Sequence, residues 1–240
     1  MCRILPLWLH AIRLNPLRII TGFSIYRTYE YPAALGALSL EGSGRVLDIG
    51  PSFDFVTYMA KKGADVTAID YKDRGLREKL KKFGVKYEVM DARKMRFPSG
   101  SFDKVTAISV IEHIPEKGDV QTLREIGRVL KKGGTAVISF PFKNEFEEEN
   151  DAAFSGLQRY YDEKAVKERV LGATGMKPVK VVYFGSSLSG KMSRFFFGLP
   201  HKLRSGLGWL SALMGIALVH ENAPVKAGAT WGNALVVLKK

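Results

Sequence analysis

Val46-Leu47 runs into Asp48-Ile49-Gly50, and Val66-Thr67-Ala68-Ile69 runs into Asp70. This repetition constrains the fold more than any other feature of the chain. It predicts strand, tight turn, helix, strand, with an acid at the tip of each strand. In a doubly wound sheet those tips line the ligand crevice. A carboxylate after the second strand suits a ribose diol, because it accepts hydrogen bonds from both hydroxyls. The spacing from Asp48 to Asp70 is close to the roughly 20 residues of a nucleoside-binding βαβ unit.

The loop between them narrows the ligand. A dinucleotide site needs G-x-G-x-x-G so that backbone can approach a pyrophosphate. Here the loop reads Gly50-Pro51-Ser52-Phe53-Asp54-Phe55, with one glycine. Asp48 and Asp54 are expected to repel a diphosphate. A ligand with a ribose, no phosphate and cationic groups fits better, and S-adenosylmethionine has that character.

Three more runs extend the pattern. Val85 to Val89 reads as a third strand, followed by Met90-Asp91-Ala92. Ser101 to Ile114 reads as a fourth strand entering a loop, and Leu123 to Leu130 as an amphipathic helix. Lys131-Lys132-Gly133-Gly134 turns into a fifth strand, Thr135 to Phe140. The strings VLDIG, VTAID, MDARKMRFPSGSFDKV, SVIEHI and REIGRVLKKGGTAVISFP stand in order over residues 45–141. Together they resemble the class I methyltransferases, in the branch of ubiquinone and menaquinone biosynthesis enzymes. That family usually has G-x-G-x-G in its loop; Ser52 and Asp54 replace the later glycines.

The resemblance implies a Rossmann-like methyltransferase fold: a doubly wound, seven-stranded, mostly parallel sheet. Pro178 to Phe184 and Ala234 to Leu238 would supply an antiparallel pair at its edge. It also implies a donor site. Asp48 would anchor the methionine moiety, with Gly50, Pro51 and Ser52 forming the loop. Asp70 would take the ribose, and Asp91 the adenine amino group beside the backbone of Ala92 or Arg93. Tyr71 would cover an adenine face, and Ser109 and Val110 would pass under the cofactor. Arg27 would pair with the donor carboxylate, or be a solvated neighbour of Glu30. His113 is the candidate catalytic group, as general base or acceptor guide, or else caps its loop. Some relatives bind a metal through E-x-x-E-H; here Ser109 holds the first position, so no metal is expected.

The 240 residues suffice for one domain: a cap (1–44), a cofactor-binding core (45–141) and an acceptor-side half (142–240), with a helical insertion at about 186–232. One cysteine, Cys2, rules out an internal disulfide and suits a reducing cytoplasm. Of the net +13, residues 1–29 carry +4 and residues 185–240 carry +6, so the core is near neutral. Both flanks are also apolar. The segment Met1 to Thr21 is interrupted by Arg13 and does not read as a signal peptide. The uncharged run Ser205 to Val219 is shorter than the 18 or more residues of a spanning helix. Basic apolar flanks suit a cap over the crevice or peripheral contact with an anionic membrane.

The expected activity is methyl transfer to a small or lipid-linked metabolite. RNA methylation is a weaker alternative, since no RNA-binding module, N-P-P-Y loop or placed cysteine is present. A non-catalytic nucleoside-binding or membrane-associated scaffold is the third reading.

Overall fold

The computed structural model describes residues 4–18, 26–40, 44–151, 156–186, 219–221 and 232–240. Its strands are β1 (Arg45–Ile49), β2 (Asp65–Asp70), β3 (Lys86–Val89), β4 (Phe102–Ile108), β5 (Leu130–Phe142), β6 (Glu147–Asp151), β7 (Gly156–Tyr160), β8 (Lys177–Ser186), β9 (Val219–Glu221) and β10 (Gly232–Lys239). Its helices are α1 (Ile4–Leu14), α2 (Arg27–Leu38), α3 (Phe53–Lys61), α4 (Arg77–Lys81) and α5 (Gly118–Val129). A last helical stretch joins α6 (Glu163–Ala165) through a π-helical turn (Val166–Leu171) to α7 (Gly172–Thr174).

The main sheet has the order β3-β2-β1-β4-β5-β10-β8-β9. β1 to β5 pair in parallel, whereas β10 runs antiparallel to both β5 and β8. The order reverses between β1 and β4, so the ligand crevice of such a sheet opens there, beyond the carboxyl ends. The apolar runs form these strands because both faces are covered. Val46 packs with α1, α2, α3 and α4 through Leu7, Leu38, Val56 and Leu80. Leu47 and Ile49 pack on the other side with Leu123, Ile126 and Val170. Ile126 is fully buried in α5, so truncating it to alanine would cost about 2–5 kcal/mol.

The seven expected strands, five of the parallel core and two of its antiparallel edge, stand near their predicted positions as β1 to β5, β8 and β10. Three features differ. β9 adds an eighth strand inside the insertion expected to be helical; the rest of that insertion lies outside the described residues. The acidic stretch Glu147–Asp151, which carries no strand pattern in the sequence, is the first arm of a hairpin, β6 with β7. Its partner arm supplies Arg159 directly opposite Glu148, an ion pair at 2.5 Å. Finally, α5 begins at Gly118 rather than Leu123. Its first turn is anchored from afar: Asp119 is buried and accepts hydrogen bonds from Tyr161 at 3.0 Å and from Arg169 at 2.8 Å.

Among the described residues, no helix is long and apolar enough to cross a membrane.

Candidate donor-binding and active site

The site is built at the tips of three adjacent strands. Asp48 is the fourth residue of β1, Asp70 the last of β2, and Asp91 lies two residues beyond β3. Asp48 is buried and pairs in register with Thr106 on β4, whose hydroxyl donates to Oδ1 at 2.5 Å. Burial pushes its carboxyl up to about 7, although Thr106 and the nearby Arg27 guanidinium favour the ionised form. A buried acid poised in this way gains most from a cation brought beside it.

Gly50 makes the turn that no other residue could make as cheaply. Its φ is +69°, and a Cβ there would lie 2.5 Å from Cγ2 of Val110. β1 and β4 therefore meet backbone to side chain at the mouth of the crevice. Ser52 flanks the start of α3 and shares a side-chain hydrogen bond with Tyr31 of α2. Tyr31 stacks on Phe55 with ring centroids 4.5 Å apart. Asp54, expected to repel a diphosphate, pairs with Arg18 at 2.6 Å and is buried. Its charge is thus spent on fastening the segment after α1 to the donor loop.

Asp70 is held lightly, by the backbone N–H of Lys72 at 3.3 Å and by Arg74 at 3.4 Å. Tyr71 beside it is 67 % exposed, the largest aromatic surface at the strand tips. Asp91 is held more firmly. Arg93 donates to both of its oxygens at 2.8–3.1 Å and holds its carboxyl below the usual range. Ala92 is buried behind this pair.

The end of β4 carries the strain of the site. Ser109 has φ +50°, a left-handed conformation costing about 1 kcal/mol or more for a residue with a Cβ. It is retained by hydrogen bonds from its N–H to the backbone O and the hydroxyl of Ser139, at 3.0 and 3.2 Å. Its own hydroxyl donates to Glu30 at 2.9 Å. Arg27 donates from Nη1 to Glu30 at 2.8 Å and to the carbonyl of Ile108 at 3.0 Å. Arg27 is therefore not the solvated arginine of the simpler reading. Burial opposes its charge, but Glu30 more than compensates and holds its pKa above the ordinary value.

Glu112 and His113 form a short 3₁₀ turn beyond β4. Glu112 is buried, its Oε2 has no hydrogen-bond partner, and burial raises its carboxyl to about 8. His113 Nδ1 lies 3.0 Å from the carbonyl of Leu157 on the hairpin. A carbonyl only accepts, so Nδ1 carries the proton of the neutral ring and Nε2 the lone pair. Nε2 stands 3.9 Å from Glu112. Arg159, fully buried, fixes the same loop by donating to the carbonyls of Ile114 and Glu116. Among the described residues, no group of three His, Cys, Asp or Glu side chains could hold a metal.

Sequence reasoning missed Glu30, Thr106 and Arg159. Glu30 carried only one local signal, its spacing from Arg27. Thr106 lay inside an apolar strand, and Arg159 in a stretch with no motif.

Acids thus stand at three parallel strand tips of a doubly wound sheet, with a left-handed glycine after the first and no further glycine in the loop that follows. Residues 47–138 match a family model described as a methyltransferase domain. A phosphatidylethanolamine N-methyltransferase of Cereibacter sphaeroides is 32 % identical over 127 residues, covering 50 % of this chain and 62 % of that protein. A ubiquinone biosynthesis O-methyltransferase of Xanthomonas campestris pv. campestris (strain B100) is 34 % identical over 138 residues, covering 55 % and 51 %. The chain thus spans about half to three-fifths of the length of these curated relatives. Among solved structures, a Burkholderia thailandensis 1,6-didemethyltoxoflavin-N1-methyltransferase with bound 1,6-didemethyltoxoflavin and S-adenosylhomocysteine shares the fold. Its TM-score is 0.59 at 15 % identity, over 99 % of this chain and 90 % of that one. Residues 47–138 are thus similar to a methyltransferase domain, on the strands that carry the three strand-tip acids.

Proposed function

We propose that the protein transfers a methyl group from S-adenosylmethionine to a small or lipid-linked metabolite. The observation that carries this reading is the row of acids at the tips of β1, β2 and β3. When bound, the donor supplies an electrophilic sulfonium methyl. Asp48 would offer its carboxylate to the donor ammonium, and Arg27 its guanidinium to the donor carboxylate. Gly50, Pro51 and Ser52 would let the loop backbone approach. Asp70 would accept from the ribose hydroxyls, with Tyr71 against the adenine. Asp91 would accept from the adenine amino group, with Ala92 beneath the ring. Ser109 and Val110 would form the floor.

On the acceptor side, His113 is the group we assign to proton removal. The neutral ring's lone pair is on Nε2, and imidazole is the side chain most often used as a base near neutral pH. The remainder of the chemistry is positioning of two reactants, which by itself can supply a large share of a rate enhancement.

The substrate range of the relatives supports a lipid-linked or small acceptor. One is named for phosphatidylethanolamine and another for ubiquinone biosynthesis. Peripheral contact with an anionic membrane is part of this proposal. α1 leaves Leu5 and Leu9 about half exposed, one turn apart, and Leu17 beyond the helix is 62 % exposed. Arg13 lies in the last turn of the same helix. Basic charge beside exposed leucines is the pattern of an interfacial helix.

The test is direct. Calorimetry should detect S-adenosylhomocysteine binding, and Asp70→Ala should weaken it by about 1–3 kcal/mol, the loss expected for a charged acceptor of paired hydroxyls. Methyl transfer would then be assayed against quinol-precursor phenols and phosphatidylethanolamine. No binding by the wild-type chain would refute the donor assignment. Wild-type affinity in the Asp70 variant would refute the ribose role.

A further inference from the structure

Among the described residues, the most heavily bonded buried side chain outside the expected donor set is Glu30, on the cap helix α2. It is completely buried. Its Oε1 accepts from the hydroxyl of Ser109 at 2.9 Å, the hydroxyl of Ser139 at 2.7 Å and the amide of Asn233 at 2.7 Å. Its Oε2 accepts from Arg27 at 2.8 Å. One carboxylate therefore joins the cap helix to the end of β4, to β5 and to β10.

A structural role alone would not need this particular set. Neutral donors on Oε1 would fasten the helix whether or not Oε2 were charged. Yet Oε2 is given to the guanidinium that also grips the carbonyl of Ile108, the last residue of β4. Among the described residues, Arg27 forms no hydrogen bond through Nε or Nη2, and its side chain remains partly exposed. Hydrogen bonds thus hold the fork by one arm, beside the Tyr31 ring whose centroid lies 5.5 Å from Cζ, and leave the donors of the other arm for an anion. Oε1 meanwhile holds the hydroxyl of Ser109, the residue kept at φ +50° beside Val110. The two oxygens of Glu30 govern two sides of one crevice.

We propose that Glu30 is the positioning residue of the donor site, holding Arg27 for the donor carboxylate while locking the Ser109 turn. This rests on the methyltransferase reading above. A long arginine left unanchored would lose side-chain entropy on binding. Glu30 removes that cost in advance, as preorganised sites do.

The test uses the full chain with Glu30→Gln. The glutamine carbonyl can still accept from Ser109, Ser139 and Asn233, while its amide faces Arg27 without charge. Two probes separate the roles: S-adenosylhomocysteine, which has the amino-acid carboxylate, and 5′-methylthioadenosine, which lacks the whole amino-acid arm. We expect Glu30→Gln to weaken S-adenosylhomocysteine at least tenfold and to leave 5′-methylthioadenosine within about twofold. Arg27→Gln should do the same, and the double variant should be no worse than Arg27→Gln alone, since the first residue acts through the second. Unchanged S-adenosylhomocysteine affinity in Glu30→Gln overturns the proposal, as does an equal loss for both probes. If Glu30→Gln does not fold, Arg27→Gln decides: wild-type affinity for S-adenosylhomocysteine in that variant overturns it. Failure of the wild-type chain to bind either probe would instead refute the methyltransferase reading itself.

Discussion

Donor affinity should depend on pH through Asp48. Its carboxyl lies at about 7 because burial disfavours its charge more than Thr106 and Arg27 favour it. An ammonium brought beside it would favour the charged form and drive off the proton. Binding then releases a proton wherever the unliganded carboxyl is protonated. The sign follows: affinity rises with pH up to about 7 and levels off above it. Each unit below the pKa costs about a factor of ten, or about 1.4 kcal/mol. S-adenosylhomocysteine should therefore bind about tenfold more weakly at pH 6 than at pH 8. Calorimetry in two buffers of different ionisation enthalpy would count the proton directly. Glu112, raised to about 8, titrates close to this window, so Asp48→Asn is the control: it should bind weakly and without this slope. A flat profile in the wild-type chain, or the same slope in Asp48→Asn, would refute the argument.

Three further outcomes are expected. Gly50→Ala should be destabilised by about 1–3 kcal/mol in denaturant unfolding and lose donor binding, because its Cβ would meet Val110 at 2.5 Å in a positive-φ turn. Glu112→Gln should gain stability over the wild-type chain at pH 9, by up to about 5 kcal/mol. The folded-state carboxyl is raised from 4.5 to about 8, so stability present below 4.5 is lost as pH rises through 8, and the amide does not share that loss. The gain should vanish at pH 4, as thermal unfolding at both values would report. Lastly, the chain should sediment with anionic but not neutral vesicles, and less so as salt rises. Leu5→Ser with Leu9→Ser should reduce that binding; no binding at low salt would leave α1 as a cap only.

The parallel core was legible because its signals are local. An apolar run such as Val66 to Ile69 forms a strand wherever both its faces can be covered, and an acid at its end lands at the strand tip by chain direction alone. Asp48, Gly50 and Asp70 could therefore be placed at the strand tips from spacing. The state of those groups could not. Whether Asp48 lies near 4 or near 7 depends on how much water reaches it, and only packing around Thr106 and Arg27 decides that. The charge of Asp54 pointed toward a repelled phosphate until Arg18, distant in sequence, was found against it. The acidic stretch before β7 carries no strand pattern of its own, and it pairs because Arg159 stands opposite Glu148. Glu30 is the clearest case. Its partners come from residues 27, 109, 139 and 233, and three of the four approach only once β4, β5 and β10 lie side by side. Sequence determines which strands form and where their acids end. Tertiary structure decides which charges are buried, paired and poised, because those depend on neighbours that no local pattern names.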